Sequence, residues 1–150
     1  MRESSFTDYL IEKPLTLVYW NVSQPFEGFT QSFEDTEIKK ISSVEEVDYW
    51  LKVGEVRNIL IATSDKDKIK EFMVFLDKLF PEKRREIFVI LITDGVHTID
   101  PVETFVYSVN LLININDLEY FSQLYRKSQK YWEQFYKNYK RVLAKVMEEI

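Results

Sequence analysis

Cysteine is absent from this 150-residue sequence, and proline, glycine and histidine are scarce, with four, three and one residues. Without cysteine the chain can form no disulfide, thiolate nucleophile, Fe–S cluster or cysteine-ligated zinc site. The glycines, at positions 28, 54 and 95, do not cluster, so the sequence has neither a P-loop nor a dinucleotide-binding fingerprint. A single histidine excludes sites that need two imidazoles. The sequence therefore predicts no cofactor and no bound metal.

Long apolar runs are also missing. No run approaches the roughly 18 residues of a transmembrane helix, and residues 1–6 lack the apolar core of a signal peptide. We therefore expect a cytoplasmic protein without membrane contact. Hydrophobic residues make up 45% of the chain and aromatic residues 15%, which excludes a disordered protein. We expect one domain over residues 1–150. Plentiful lysine and glutamate with no cysteine is typical of thermophile proteins.

The net charge of −5 is distributed unevenly along the chain. Residues 1–56 carry 11 acids and 5 bases, and residues 57–119 carry 11 acids and 8 bases, so their net charges are −6 and −3. Residues 120–150 carry 3 acids and 7 bases and have a net charge of +4. The C-terminal segment is therefore basic, while the rest of the chain is acidic.

The stretch Glu86–Gly95 predicts the central strand of the fold. Six of its residues are consecutive and apolar, as in a strand covered on both faces within a parallel sheet. Asn58–Thr63 has the same pattern. Leu15–Val22, Glu37–Ile41 and Val109–Ile115 predict three more strands. Helical segments separate the strands, so we expect a three-layer α/β fold with a mainly parallel five-stranded sheet.

Polar residues indicate where the helices begin. Ser43 with Glu46 predicts a capping box. Ser64 is predicted to cap the next helix, which should end at Pro81. Asp100, directly before a proline, predicts the start of a short helix. Each predicted cap follows a predicted strand or loop, which supports the alternation of strands and helices.

Two N-terminal segments are predicted with less detail. Phe6, Tyr9 and Leu10 have helical spacing and predict a short opening helix. Ser23–Asp35 contains a proline and a glycine and is predicted to be a loop. Its three phenylalanines at positions 26, 29 and 33 either cover the core or form an exposed patch for a partner or ligand; we expect the first.

The order of strands and helices over about residues 15–130 resembles the receiver domains of two-component signalling. This resemblance implies the fold rather than the activity, because the receiver residues are replaced. Trp20-Asn21-Val22 stands where receivers have an acidic pair, and Ile61-Ala62-Thr63 stands where they have the phosphorylated aspartate. Thr93 matches the receiver hydroxyl, but Asn114-Ile115-Asn116 replaces the lysine. We therefore do not expect phosphotransfer.

A long helix is predicted at the C-terminus. Asn116 is a predicted N-cap, with Glu119 completing a capping box, and residues 117–150 contain no proline or glycine. A continuous helix of this length would span about 51 Å. A 150-residue domain is only about 40 Å across, so the helix should extend beyond its own domain.

A stripe of mainly apolar residues runs along this helix with alternating spacings of three and four. The repeating positions are Leu118, Phe121, Tyr125, Ser128, Trp132, Phe135, Tyr139, Val142 and Val146, and Leu124, Tyr131, Tyr136 and Leu143 widen the stripe. We expect the first half of the helix to pack on the sheet and the second half to contact another helix.

The partner helix could come from a second copy, crossing antiparallel about a two-fold axis. The predicted partner-binding residues are Tyr125, Trp132, Phe135, Tyr136, Tyr139, Val142, Leu143 and Val146. A partner should be either a second copy or another helical protein. The alternative is a helix that breaks near Ser128 and folds back onto its own core.

Basic residues beside aromatic residues also raise the possibility of nucleic-acid binding. On this helix, however, the basic side chains lie opposite the apolar stripe. Binding of nucleic acid by stacking needs basic and aromatic side chains on the same surface. The acidic chain also disfavours RNA or DNA. The residues concerned are Arg126, Lys127, Lys130, Lys137, Lys140 and Arg141.

Candidate catalytic residues follow the central strands. Asp94, His97 and Asp100 come after the strand that ends at Thr93, where ligands of open α/β sheets bind, and Asp65 follows the neighbouring strand. Two carboxylates and an imidazole could bind a metal or perform acid–base chemistry. The leading hypothesis is nevertheless a non-catalytic interaction or dimerisation module, with a small-molecule or metal-dependent enzyme as the alternative.

Overall fold

The computed structural model describes residues 13–149. Its centre is a five-stranded, all-parallel sheet with the strand order β2-β1-β3-β4-β5. The predicted three-layer α/β fold is therefore confirmed. The strands are β1 (Leu15–Asn21), β2 (Glu37–Lys40), β3 (Val56–Thr63), β4 (Phe88–Thr93) and β5 (Leu111–Asn114).

In the part of the chain that the structure describes, five α-helices and two 3₁₀ helices lie between the strands or follow the last one. The α-helices are α1 (Val44–Val53), α2 (Lys66–Asp77), α3 (Pro81–Arg85), α4 (Pro101–Tyr107) and α5 (Phe121–Glu149), and the 3₁₀ helices are Phe26–Phe33 and Ile115–Tyr120. The predicted opening helix at Phe6, Tyr9 and Leu10 lies outside the described residues. Within residues 13–149, no helix combines the length and the apolar content needed to cross a membrane.

Each face of the sheet carries its own hydrophobic core. On one face, Leu17, Ile59 and Val89 pack against α1 and α2. On the other face, Leu60 and Ile90 pack against the first 3₁₀ helix and the start of α5. All six residues of β4 are buried, because this strand lies inside the sheet with both faces covered. This burial on both faces explains why polar and apolar residues do not alternate in the β4 sequence, as predicted.

The first 3₁₀ helix covers one face of the sheet with aromatic residues. Phe26 and Phe33 are buried, and Phe29 is half-buried. The Phe29 ring lies 5.4 Å from the rings of both Trp20 and Phe121. These contacts confirm that the three phenylalanines belong to the core.

Several predicted boundaries are wrong by one or a few residues. The cap of α2 is Asp65, not Ser64, because the Asp65 carboxylate accepts hydrogen bonds from the backbone of Asp67 and Lys68. Ser43 caps α1 as predicted, but the Glu46 carboxylate accepts from the Ser42 hydroxyl instead of closing a capping box. Pro81 also begins the short helix α3, which was not predicted.

The entry into the C-terminal helix also differs from the prediction. Asn116 does not cap it. Instead, the Asn114 side chain accepts a hydrogen bond from the Asn116 backbone at 2.8 Å and starts the second 3₁₀ helix. The chain then continues directly into α5 at Phe121. Helix α5 runs unbroken through Ser128 for 29 residues, so the alternative with a break near Ser128 is wrong.

Candidate functional site

The first half of α5 is fixed on the sheet. Phe121 and Tyr125 are buried, and the Tyr125 ring lies 4.8 Å from Phe33 and 5.8 Å from Phe88. The Tyr125 hydroxyl donates to the Asn58 side-chain oxygen at 3.3 Å. Asn58 in turn donates to the Thr16 hydroxyl at 3.0 Å. A polar link between buried side chains therefore joins the helix to β3 and β1.

Tyr125, one of the predicted partner-binding residues, is consequently packed inside its own chain. It is only 4% exposed. Burial raises the pKa of its hydroxyl well above the ordinary value, since the charged phenolate would lose its hydration. The sequence pattern could not show this, because Tyr125 lies on the same stripe as the residues that remain exposed.

The middle of α5 lies at the edge of the body. Trp132 packs edge-on against Phe88, with the ring centroids 5.5 Å apart, and it stacks on Tyr136 at 5.9 Å. The Arg85 guanidinium at the end of α3 lies 4.7 Å from the centre of the Tyr139 ring. Trp132, Tyr136 and Tyr139 are therefore half-buried against their own chain.

The end of α5 leaves the body altogether. Every residue from Lys140 to Glu149 is exposed, and this segment spans about 15 Å at 1.5 Å per residue. Helix α5 therefore extends beyond the sheet, as its length predicted. The exposed apolar side chains on the second half of α5, with their exposed fractions, are Tyr131 67%, Phe135 74%, Val142 57%, Leu143 46%, Val146 47% and Met147 65%. We call these six residues the distal apolar surface.

Two members of the distal apolar surface were not among the predicted partner-binding residues. Tyr131 had been identified only as a flank of the stripe. Met147 lies four residues after Leu143, so helical spacing alone could have found it. The distal apolar surface therefore contains four of the eight predicted partner-binding residues, namely Phe135, Val142, Leu143 and Val146.

The basic residues of α5 lie mainly away from the distal apolar surface. Arg126, Lys127, Lys130, Lys137 and Arg141 are all exposed. Lys140 leans back, with its ammonium 4.7 Å from the centre of the Tyr136 ring. This arrangement gives the second half of α5 one apolar side and one positively charged side.

A second candidate site lies at the carboxyl edge of the sheet. The Lys66 ammonium donates to the Thr93 hydroxyl and to the Asp94 backbone oxygen, both at 3.0 Å, and lies 3.3 Å from the Asp94 carboxylate. The hydrogen bond from Lys66 is the main reason that the Asp94 pKa is lowered. Asp94 is thus paired with Lys66 and held ionised. The sequence interpretation did not assign Lys66 a role.

His97 is paired with a residue that the sequence interpretation missed. Its Nδ1 atom and its backbone nitrogen are both 2.9 Å from the Glu103 carboxylate. Asp100 caps α4, where its carboxylate accepts hydrogen bonds from the backbone of Val102 and Glu103 at 2.9 Å. One potential ligand atom from each of His97, Asp100 and Glu103 lies within 4.8 Å of the others.

Asn114 and Thr98 fix the loop that carries His97. The Asn114 side chain donates to the Val96 carbonyl at 2.7 Å, and the Asn114 backbone donates to the Thr98 hydroxyl at 2.8 Å. Ile99 adopts a positive φ of 53°, which is uncommon for a β-branched residue. The loop between β4 and α4 is therefore tied to the end of β5.

The four predicted catalytic residues do not form one cluster: His97 and Asp100 lie together with Glu103, whereas no such grouping includes Asp65 or Asp94 among the described residues. Asp65 caps α2, Asp94 pairs with Lys66, His97 pairs with Glu103, and Asp100 caps α4. Four clefts among residues 13–149 are lined by other side chains, including one of about 630 Å³ between the first 3₁₀ helix and α5. None of the four residues lines these four clefts, and only His97 and Asp100 share a cluster.

Comparison of this chain with known protein families, with curated proteins and with solved structures finds no match.

The His97–Glu103 pair should make the stability of the protein depend on pH. The hydrogen bond and charge of Glu103 raise the pKa of His97 above its ordinary value of about 6.5. The contribution of this pair to the free energy of unfolding is therefore fully present below about pH 6.5. It is lost as the pH rises through the pKa of His97 in the folded protein. Because His97 is the only histidine, its imidazole proton signals can be followed by NMR without assignment. We expect a midpoint above 6.5 that falls in Glu103→Gln; an identical midpoint in both proteins would contradict the pairing.

Proposed function

We propose that this protein is a non-catalytic self-association module. The α/β body serves as a rigid platform, and the second half of α5 binds the same helix of a second copy. The observation that carries the proposal is the distal apolar surface, which lies on a helix that has left its own body.

The exposure of this surface is unfavourable for an isolated chain. Fully burying a Val, Leu, Phe or Met side chain stabilises by about 1.5–3 kcal/mol, and the distal apolar surface has six apolar residues on adjacent turns. Scattered apolar residues on a surface are ordinary, but a contiguous patch usually marks an interaction site. Pairing with another helix would remove this patch from water.

The position of the surface also favours association. A short helical extension without tertiary contacts has little stability of its own in water. Helix α5 extends about 15 Å past its last half-buried residue, Tyr139, so a partner would supply the packing that this end lacks. The first half of α5 is fixed by Tyr125 and Trp132, which gives the partner a preformed helix to bind.

The proposal is tested by replacing Phe135 and Val142 together with serine and measuring the mass in solution. Loss of a dimer formed by the unmodified chain would support it. An unchanged association constant would contradict it.

One observation favours a second candidate function, a metal-dependent activity. His97, Asp100 and Glu103 bring an imidazole and two carboxylates within 4.8 Å of one another. This donor set is suitable for a divalent transition metal. Addition of Zn²⁺ during the NMR titration of His97 tests the idea. A stoichiometric change of the imidazole signals that is lost in Asp100→Asn would favour it, and signals unaffected by Zn²⁺ would exclude it.

A further inference from the structure

We infer that two copies of α5 pair antiparallel about a two-fold axis that passes between Asn138 and Tyr139. This inference depends on the proposed self-association and adds to it the orientation of the copies and the residues that face each other.

Four residues of the distal apolar surface form a symmetric seam. They are Tyr131, Phe135, Val142 and Val146, all of which are exposed. With 3.6 residues per turn, their side chains fall within about 60° of the helix circumference. Their spacing is four, seven and four residues, so the pattern reads the same in both directions. Its midpoint lies between Asn138 and Tyr139.

An antiparallel two-fold arrangement uses this symmetry. It places Tyr131 opposite Val146 and Phe135 opposite Val142, so a large side chain meets a smaller one at each level. A parallel arrangement would place tyrosine opposite tyrosine and valine opposite valine, which would vary the distance between the helices along the seam. Pairs of a large and a small side chain allow an even distance and close packing.

The contacts between α5 and its own body end close to the proposed two-fold axis. Contacts of α5 with its own body reach Tyr139, through Arg85, and the helix is exposed from Lys140 onward. In the antiparallel arrangement each body therefore covers its helix almost entirely on one side of the axis, with Tyr139 as the last contact. The exposed end of one helix lies alongside the body-bound half of the other. The two bodies thus occupy opposite ends of the pair and do not compete for space along the helix.

Charge also favours a second copy in this orientation. Residues 120–150 carry a net charge of +4, and residues 1–119 carry 22 acids and 13 bases, a net charge of −9. Antiparallel pairing brings Lys140, Arg141 and Lys145 on the exposed end of each helix toward the acidic body of the other copy. It also places Glu149 at nearly the same level as Lys127 of the other copy. A parallel pair would instead place the exposed end of each helix beside the same end of the other copy, away from both acidic bodies.

Disulfide trapping tests the orientation, and the absence of cysteine from the chain makes it specific. We would prepare Tyr131→Cys and Val146→Cys separately, exchange subunits by mixing, and oxidise with oxidised glutathione. A disulfide needs Cβ atoms about 3.5–4.5 Å apart. In the antiparallel pair, residues 131 and 146 of different copies meet, whereas equivalent residues are more than about 20 Å apart along the helix. Only the mixture should cross-link.

The control replaces the exposed Phe105 of α4 with cysteine, which should not cross-link to Val146→Cys. Sedimentation equilibrium under reducing conditions shows whether each variant still dimerises. Cross-linking of each single variant with itself would overturn the antiparallel arrangement and leave self-association intact. Dimers that persist without any cross-link would overturn the arrangement in the same way. Chains that stay monomeric, including the unmodified chain, would overturn both proposals.

Discussion

The double variant Phe135→Ser with Val142→Ser is expected to raise the dissociation constant of the dimer at least about 100-fold. Both side chains lie at the centre of the proposed seam. Burying each stabilises by about 1.5–3 kcal/mol, and a loss of about 2.7 kcal/mol already corresponds to a factor of 100. Because Phe135 is 74% and Val142 57% exposed in one chain, serine there should change the stability of the monomer little.

The chain offers a matched control for this variant. Val102 and Phe105 of α4 are 70% and 83% exposed, so Val102→Ser with Phe105→Ser removes the same side chains from another exposed helix. Sedimentation equilibrium of the three proteins at equal concentrations measures the dissociation constants. We expect the control to dimerise like the unmodified chain. Equal weakening by both double variants would show that general surface hydrophobicity, not α5, causes the association.

Tyr125→Ala is expected to lower the free energy of unfolding by about 3–5 kcal/mol, a range typical of large aromatic-to-alanine changes in a core. The ring is packed among Phe33, Phe88 and Phe121, and its removal would leave a cavity between α5 and the sheet. Tyr125→Phe keeps the ring but leaves the Asn58 side-chain oxygen without this donor. We expect it to cost about 1 kcal/mol.

These free energies should be measured by urea denaturation in the Phe135→Ser, Val142→Ser background, where unfolding does not depend on dimerisation. Tyr49→Ala, at a tyrosine 57% exposed in α1, should change stability by no more than about 0.5 kcal/mol. Burial raises the pKa of Tyr125. The contribution of its neutral hydroxyl to the free energy of unfolding should therefore be present below about pH 10 and be lost as the pH rises further. Similar losses for Tyr125→Ala and Tyr49→Ala would contradict the docking of α5.

The fold could be predicted because its strands carry a strong signal. An apolar run such as Ile87–Ile92 needs cover on both faces, and a parallel sheet between helices supplies it. The alternation with capped helices then leaves few arrangements. The strand order was not predictable, because the sequence does not show on which side of β1 each later strand is added.

The errors in the helix starts have a local cause. Ser64 and Asp65 are adjacent and both can accept hydrogen bonds from backbone amides, so the sequence alone could not choose between them. Asn114 and Asn116 present the same problem two residues apart. Asn114 caps the 3₁₀ helix Ile115–Tyr120, Asn116 lies within it, and this helix delays the start of α5. Such boundaries depend on the geometry of one turn.

The candidate interface was only partly predictable. Periodicity identified the apolar stripe of α5, but Tyr125 and Phe135 look equivalent in the sequence. What separates them is the position of the edge of the body, which depends on where Phe88 and Arg85 come to lie in the fold. The pairing of His97 with Glu103 was missed for a similar reason, because it depends on the turn before α4.

Hydrogen exchange at Arg141–Glu149 tests the central claim most directly. These backbone amides belong to a helical segment without cover from its own body, so they should exchange quickly in a monomer. We predict that their protection rises with protein concentration in the unmodified chain and stays low in Phe135→Ser with Val142→Ser, while β3 and β4 remain protected in both proteins. Fast exchange of Arg141–Glu149 at every concentration, beside a protected sheet, would contradict the account.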